Sequence, residues 1–126
     1  MITLKRAYDA ASHTDGVRLL VERLWPRGLS KAKLPLDGWV KDVAPSAALR
    51  KWFSHDPDKW DAFRRRYFRE LSLRPQTWRP IVSLARRRRV TLVYSSHDRL
   101  HNNAVALREY LRRKTRRLVK STHSTP

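Results

Sequence analysis

Two short apolar runs constrain this chain more than any other feature. Val17-Arg18-Leu19-Leu20-Val21 and Val90-Thr91-Leu92-Val93-Tyr94 are rich in branched residues and too short for helices. Each reads as a strand buried within a sheet. The stretch between them has helical spacing and is long enough for a crossover, so the two are expected to be parallel neighbours. Ile2-Thr3-Leu4-Lys5, apolar at alternate positions, is a third strand candidate. The fold class that follows is α/β: a small layered domain with a short, mainly parallel central sheet flanked by helices.

The helices announce themselves by caps and stripes. Ser46 is placed to cap a short helix through Phe53, and Asp56-Pro57 sets an N-cap acid before a proline at the first helical position. Trp60, Phe63, Tyr67 and Leu71 then recur at spacings of three and four, with Arg64, Arg65, Arg66 and Arg69 around the other faces. A helix from Thr77 to Arg86 turns Trp78, Ile81, Val82 and Ala85 inward, and a last one carries Ala104, Leu107, Tyr110 and Leu111. Residues 29–45 read as irregular, and Trp39 to Val43 fits a short strand or a turn. Residues 1–114 are expected to form one domain. Residues 115–126 lose periodicity and read as a basic, flexible tail.

Composition narrows the function classes. Of 126 residues 29 are Lys or Arg and 11 are Asp or Glu, a net charge of +18 that draws in polyanions through counterion release. The clusters Arg64-Arg65, Arg86 to Arg89 and Arg112 onward are expected to lie in solvent, their stems over apolar surface. The 40% apolar content suffices for a core. With no cysteine, disulfides, thiolate zinc sites and a cysteine nucleophile are excluded. Three scattered glycines exclude a phosphate-cradling glycine loop. His97-x-x-x-His101 has metal-pair spacing without a third ligand, so no metal and no cofactor is expected. No apolar run approaches the ~20 residues of a membrane span, and none follows Met1 as a leader would, so a cytoplasmic protein without a membrane partner is expected.

In open α/β sheets ligands gather at the carboxyl ends of strands. Glu22, Arg23 and Arg27 follow one apolar run. Tyr94 to Asp98, with His101 and Asn102 at the start of the last helix, follow the other. Parallel neighbours would bring both groups over one crevice. Two arginine forks and a helix N-terminus suit a phosphate or carboxylate, and His101 suits proton transfer. Arg23 and His101 are expected to face one cavity with Trp25 or Tyr94 as a wall. Glu22, Asp42 or Asp98 is expected to hold Arg23, since an unpaired buried guanidinium is costly. Glu22 and Asp98 suit bases, or simply pair with Arg23 and Arg99. Pro45-Ser46, Arg50, His55 and Asp56 form a second polar cluster. Trp52, Trp60 and Trp78 fall on helical stripes and read as core, whereas Trp25 and Trp39 are free to line a crevice.

The strings Arg6-x-Tyr8-Asp9, Arg23-Leu24-Trp25-Pro26-Arg27-Gly28 and Trp39-x-Lys41-Asp42-x-Ala44-Pro45-Ser46 resemble the YeaO-like family of bacterial domains of unknown function. So do Leu49-Arg50-x-Trp52-Phe53-x-His55-Asp56-Pro57, Trp60-x-x-Phe63-x-x-x-Tyr67-x-x-Glu70-Leu71 and the pairing of Val90–Tyr94 with His101-Asn102-x-Ala104. The resemblance spans about residues 2 to 113. It implies a single α/β domain without an established reaction. It also marks Arg23, Trp25, Arg27, Lys41, Asp42, Arg50, His55, Asp56, Tyr94, His101 and Asn102 as motif positions. Asn103 stands where that family more usually has His. The arginine clusters lie outside the motifs.

Together these readings give an Arg/His/Asp-lined anion pocket. Arg23, Arg27, Arg50 and Lys41 bind the anion, His101 or His55 handles a proton, and Asp42 or Asp56 orients the imidazole. Trp25, Tyr94 and Asn102 form the wall. The partner is a small anionic ligand, and the protein acts on a nucleotide or other phosphorylated compound if it is an enzyme. The alternative is a non-catalytic nucleic-acid-binding module using the basic surface. A third reading is an interaction protein with an exposed tryptophan patch.

Overall fold

In the computed structural model, residues 1–124 are described, with side chains as far as Arg116. Strands β1 (Ile2–Arg6), β2 (Val17–Leu20), β3 (Gly38–Trp39) and β4 (Val90–Tyr94) form one sheet in the order β1-β4-β2-β3. Every pairing is parallel. The two apolar runs are therefore neighbours, with Val17 beside Val90 and Leu20 beside Val93. Trp39 to Val43 supplies both of the expected alternatives, the end of β3 and then a 3-10 turn at Lys41–Val43.

The helices are α1 (Ala47–Phe53), α2 (Trp60–Ser72), α3 (Pro75–Ala85) and α4 (Asn103–Ser124). Ser46 caps α1 by accepting from the Leu49 N–H, as its position in the sequence predicts. Asp56-Pro57 opens a 3-10 turn, Pro57–Lys59, that runs into α2. Helical backbone continues through Ser124, across most of the stretch expected to be a tail. The side chains beyond Arg116, and residues 125–126 altogether, lie outside the described residues. Among the described residues no helix is long and apolar enough to cross a membrane.

Alternation along the strands assigns the two faces of the sheet. Leu19, Val21, Val90, Leu92 and Tyr94 join the large core with residues of all four helices, including Phe53, Phe63, Trp78 and Leu107. Leu20 and Val93 face the other way and pack with Ala7, Leu34, Trp25 and Leu29 from the loops. Helices thus cover one face and irregular chain covers the other.

That second face also holds a buried polar network. Arg18, the polar residue of β2, is 6% exposed, because both faces of a parallel sheet are covered. Its guanidinium donates to Asp15 at 2.6 Å and to the Pro35 carbonyl at 2.8 Å. Lys5 pairs with the same carboxylate at 3.0 Å. The Thr91 hydroxyl donates to the Asp15 carbonyl, and therefore accepts from Thr3 at 2.8 Å.

Among the residues whose side chains are described, the arginine clusters lie in solvent as expected, with Arg64 the exception. Arg65, Arg86 to Arg89 and Arg112 are exposed, whereas Arg64 is half-buried and bonded to Glu109 and Asp61.

Candidate functional site

Where β2 and β4 end, the chain builds a cavity of about 460 Å³. The β2 end contributes Glu22, Arg23, Trp25 and Arg27, and the β4 end contributes Ser95, Ser96 and His97. Tyr8 follows β1, Arg50 and Phe53 come from α1, His55 follows it, and Asn102 and Asn103 begin α4. This is the strand-end crevice that the parallel neighbours imply.

A carboxylate clasps its two halves. Glu22 accepts from the Ser95 N–H at 2.8 Å and from the Ser95 hydroxyl at 2.7 Å, so the β2 end is fixed to the β4 end. The Asn103 amide donates to the Val21 carbonyl at 2.8 Å, and Asn102 caps α4 by accepting from the Val105 N–H at 3.0 Å. A second serine clasp orders the opposite wall. Glu70 accepts from the Ser46 N–H and hydroxyl at 2.8 and 2.6 Å, while the buried Tyr67 hydroxyl donates to the Val43 carbonyl at 2.6 Å. Burial pushes the Tyr67 hydroxyl far above the ordinary phenol range, so it stays a donor.

The arginines keep their charge available. Arg23 is not held by a carboxylate, contrary to expectation; its Nε donates to the Pro45 carbonyl at 3.2 Å. The expected partners are used elsewhere or lie apart: Glu22 holds Ser95, Asp98 holds His101, and Asp42 is exposed. Arg23, Arg27 and Arg50 form no ion pair among the described residues. The Arg23 side chain is only partly buried, which lessens the cost of leaving its guanidinium without a counter-charge.

His101 departs from its expected place. Asp98 accepts from the His101 N–H at 3.0 Å and holds its Nδ1 at 2.9 Å, and the ring packs edge-on to Trp60. It does not line the cavity with Arg23. The Leu100 N–H first, and then His101, hold the Asp98 carboxyl below its ordinary range despite some desolvation. Tyr94 belongs to the core at 2% exposure rather than to the wall, and burial raises its hydroxyl. Lys41 and Asp42 lie beyond β3, against a separate groove, where the Lys41 ammonium sits 4.0 Å from the Trp39 ring centre. Asp56 caps the 3-10 turn.

The structure therefore brings Arg23, Arg27, Arg50, His55, Trp25 and Asn102 together and leaves His101, Asp56, Asp42, Lys41 and Tyr94 outside the lining. Trp25 is braced by its Nε1 donating to the Leu29 carbonyl and by Trp39 edge-on at 5.4 Å. Tyr8 also lines the cavity, outside the expected set. Tyr8 follows the strand beside β4, so the strand-end rule applied to β1 would have found it. His97 is reached by Arg6, which also donates to the Ser96 carbonyl at 2.8 Å. His55 has φ of 57° and the preceding Ser54 has 45°. Two successive left-handed residues without glycine are strained, and such strain persists where the surroundings impose it.

Among known proteins, the chain is 40% identical to the uncharacterized protein YeaO of Escherichia coli (strain K12) over 111 residues, 88% of this chain and 96% of that one. It is 39% identical over 89 residues to the uncharacterized proteins Mb3100c of Mycobacterium bovis and Rv3073c of Mycobacterium tuberculosis, covering 65% of this chain and 75% of each. No solved structure matches. These relatives bear out the resemblance carried by the motifs. A family profile described as the inactive DUF488-N3 subclade matches residues 1–126, and the chain belongs to that family.

Proposed function

We propose that this protein binds a small phosphorylated anion, such as a nucleotide, in the cavity at the ends of β2 and β4. One observation carries the reading. Arg23, Arg27 and Arg50 line the cavity without ion pairs among the described residues, while Glu22, the carboxylate on its lining, is committed to Ser95. A cavity with three guanidinium groups and its acid occupied attracts an anion, and arginine forks match phosphate oxygens. Trp25, Tyr8 and Phe53 add flat apolar surface for the rest of such a ligand.

Binding without turnover is the form favoured here. The family is described as inactive, and His101, the residue best suited by sequence to move a proton, is tied to Asp98 away from the cavity. His55 and His97 on the lining are the groups through which an enzymatic form of the reading would work.

Calorimetric titration with a nucleoside 5′-monophosphate tests it. Arg23→Ala and Arg50→Gln should each weaken binding about 10- to 100-fold, the loss of one charged hydrogen bond. Arg50 makes no side-chain hydrogen bond among the described residues, so its variant should melt as the parent does. Absence of binding by the parent protein, or binding unchanged in both variants, would overturn the reading.

A further inference from the structure

We propose that the face formed by the Arg86–Arg89 loop and α4 is a second binding surface, which grips the phosphate backbone of a nucleic-acid duplex without reading its sequence. The observations behind it are independent of the strand-end cavity.

Acidic residues are missing from two separate segments. None lies between Glu70 and Asp98, and none follows Glu109. The fold packs these segments together: α3 rests on α4 through Trp78 and Tyr110, whose rings meet edge-on at 5.2 Å. The Arg112 guanidinium donates to the Ile2 carbonyl at 3.3 Å, and Ile2 pairs with Val90, the residue after Arg89. Arg86, Arg87, Arg88, Arg89 and Arg112 thereby border one end of the sheet, Lys114 lies two residues farther along α4 over Trp78 and Tyr110, and none of the six forms an ion pair among the described residues. Arg108, one turn before Arg112, has its affinity for a proton lowered by burial and by that neighbour.

Neither helix ending nor core packing requires so many cations. The backbone N–H groups of Arg86, Arg87 and Arg88 already cap the last carbonyls of α3, at 3.0 to 3.2 Å. One or two cations would satisfy the helix dipole. Four consecutive exposed arginines, beside more on α4, repel one another, and polyphosphate relieves that repulsion.

A duplex, rather than a single strand, follows from the aromatic residues. Single-strand binders offer open rings on which bases stack. Here Trp78 is 7% exposed, and the Lys114 ammonium lies 5.6 Å from the Trp78 ring centre and 5.1 Å from that of Tyr110. The face presents charge without free rings, which suits backbone contacts alone. It also stands at the opposite end of β4 from the cavity, about 15 Å away at the usual rise of a strand.

The test is fluorescence anisotropy with a labelled DNA duplex of about two helical turns, titrated between about 50 and 200 mM salt. The variant with Arg86→Gln, Arg87→Gln, Arg88→Gln and Arg89→Gln should flatten the slope of log K against log salt by about 3 to 4, at roughly 0.9 per phosphate. Arg112→Gln with Lys114→Gln, on the other element, should flatten it by about 2. A control of equal charge loss, Lys31→Gln, Lys33→Gln, Arg65→Gln and Arg69→Gln, should change it by less than about 1. An equal loss in the control would show net charge alone and overturn the proposal. So would tighter binding to the single strand, or to phosphatidylserine vesicles, than to the duplex. Nucleotide binding in the strand-end cavity should survive the Arg86–Arg89 variant, which keeps the two surfaces distinguishable.

Discussion

The Glu22 carboxylate accepts both the N–H and the hydroxyl of Ser95, at 2.8 and 2.7 Å, and so ties the end of one strand to the end of its parallel neighbour. The strands supply hydrogen bonds only as far as Tyr94. Beyond that the clasp sets the spacing of the two loops that carry Arg23, Arg27 and His97. Glu22→Ala removes two charge-assisted bonds and should lower stability by about 2 kcal/mol, with a fall in melting temperature of roughly 5–10 °C. Scanning calorimetry checks it. Nucleotide affinity should fall as well, although Glu22 carries the wrong charge to touch the ligand.

His55 makes the opposite prediction. Its φ of 57° is one that glycine adopts without penalty. His55→Gly should hold stability level or raise it by up to about 1 kcal/mol while weakening ligand binding, because the side chain leaves the cavity lining. Chemical denaturation and titration on the same sample read both effects. A destabilised variant with unchanged affinity would mean the imidazole supports the fold.

Stability should fall in acid through Asp15. Burial alone would raise this carboxyl, but the Ser12 N–H, Lys5 and Arg18 outweigh it and hold the pKa below the ordinary value. The folded pKa therefore lies under the unfolded one of about 3.9, so the contribution is complete above that pH. It is lost as the pH drops through the folded value. Urea unfolding from neutral pH to about 3 should show this loss, and Asp15→Asn should flatten it. That variant also leaves Arg18 buried without its counter-charge, at a cost of about 3–5 kcal/mol at neutral pH.

Gly16→Ala should be severe. At φ of 68°, a Cβ there would stand 2.3 Å from the Arg89 carbonyl oxygen, which accepts from the Val17 N–H at 2.9 Å to begin the β2–β4 pairing. Relief requires the two strands to part at their start. We expect a loss of more than about 1 kcal/mol in denaturant unfolding.

What could be read from the chain divides along physical lines. The β2–β4 pair was legible because two unbroken apolar runs can only be satisfied by covered faces. Strand β3 was legible only as one of two alternatives, since Gly38 and Trp39 are too few to show a period. The burial of Arg18 agrees with a strand covered on both faces, whereas its pairing with Asp15, three residues away, depends on the turn before the strand. The strand-end rule brought out Arg23, Arg27 and the segment after Tyr94, but charge complementarity misassigned their partners. Glu22 chose Ser95 across the sheet, and Asp98 took the His101 imidazole three residues along its own loop. Sequence shows which groups leave a strand end, whereas local turns decide which of them look inward.

The most direct measurement is a crystal structure of the protein grown with a nucleoside 5′-monophosphate. Phosphate density between Arg23, Arg27 and Arg50, with the Glu22–Ser95 clasp intact, is the predicted result. An empty cavity at saturating ligand, or phosphate seated only on Arg86–Arg89, would contradict the account.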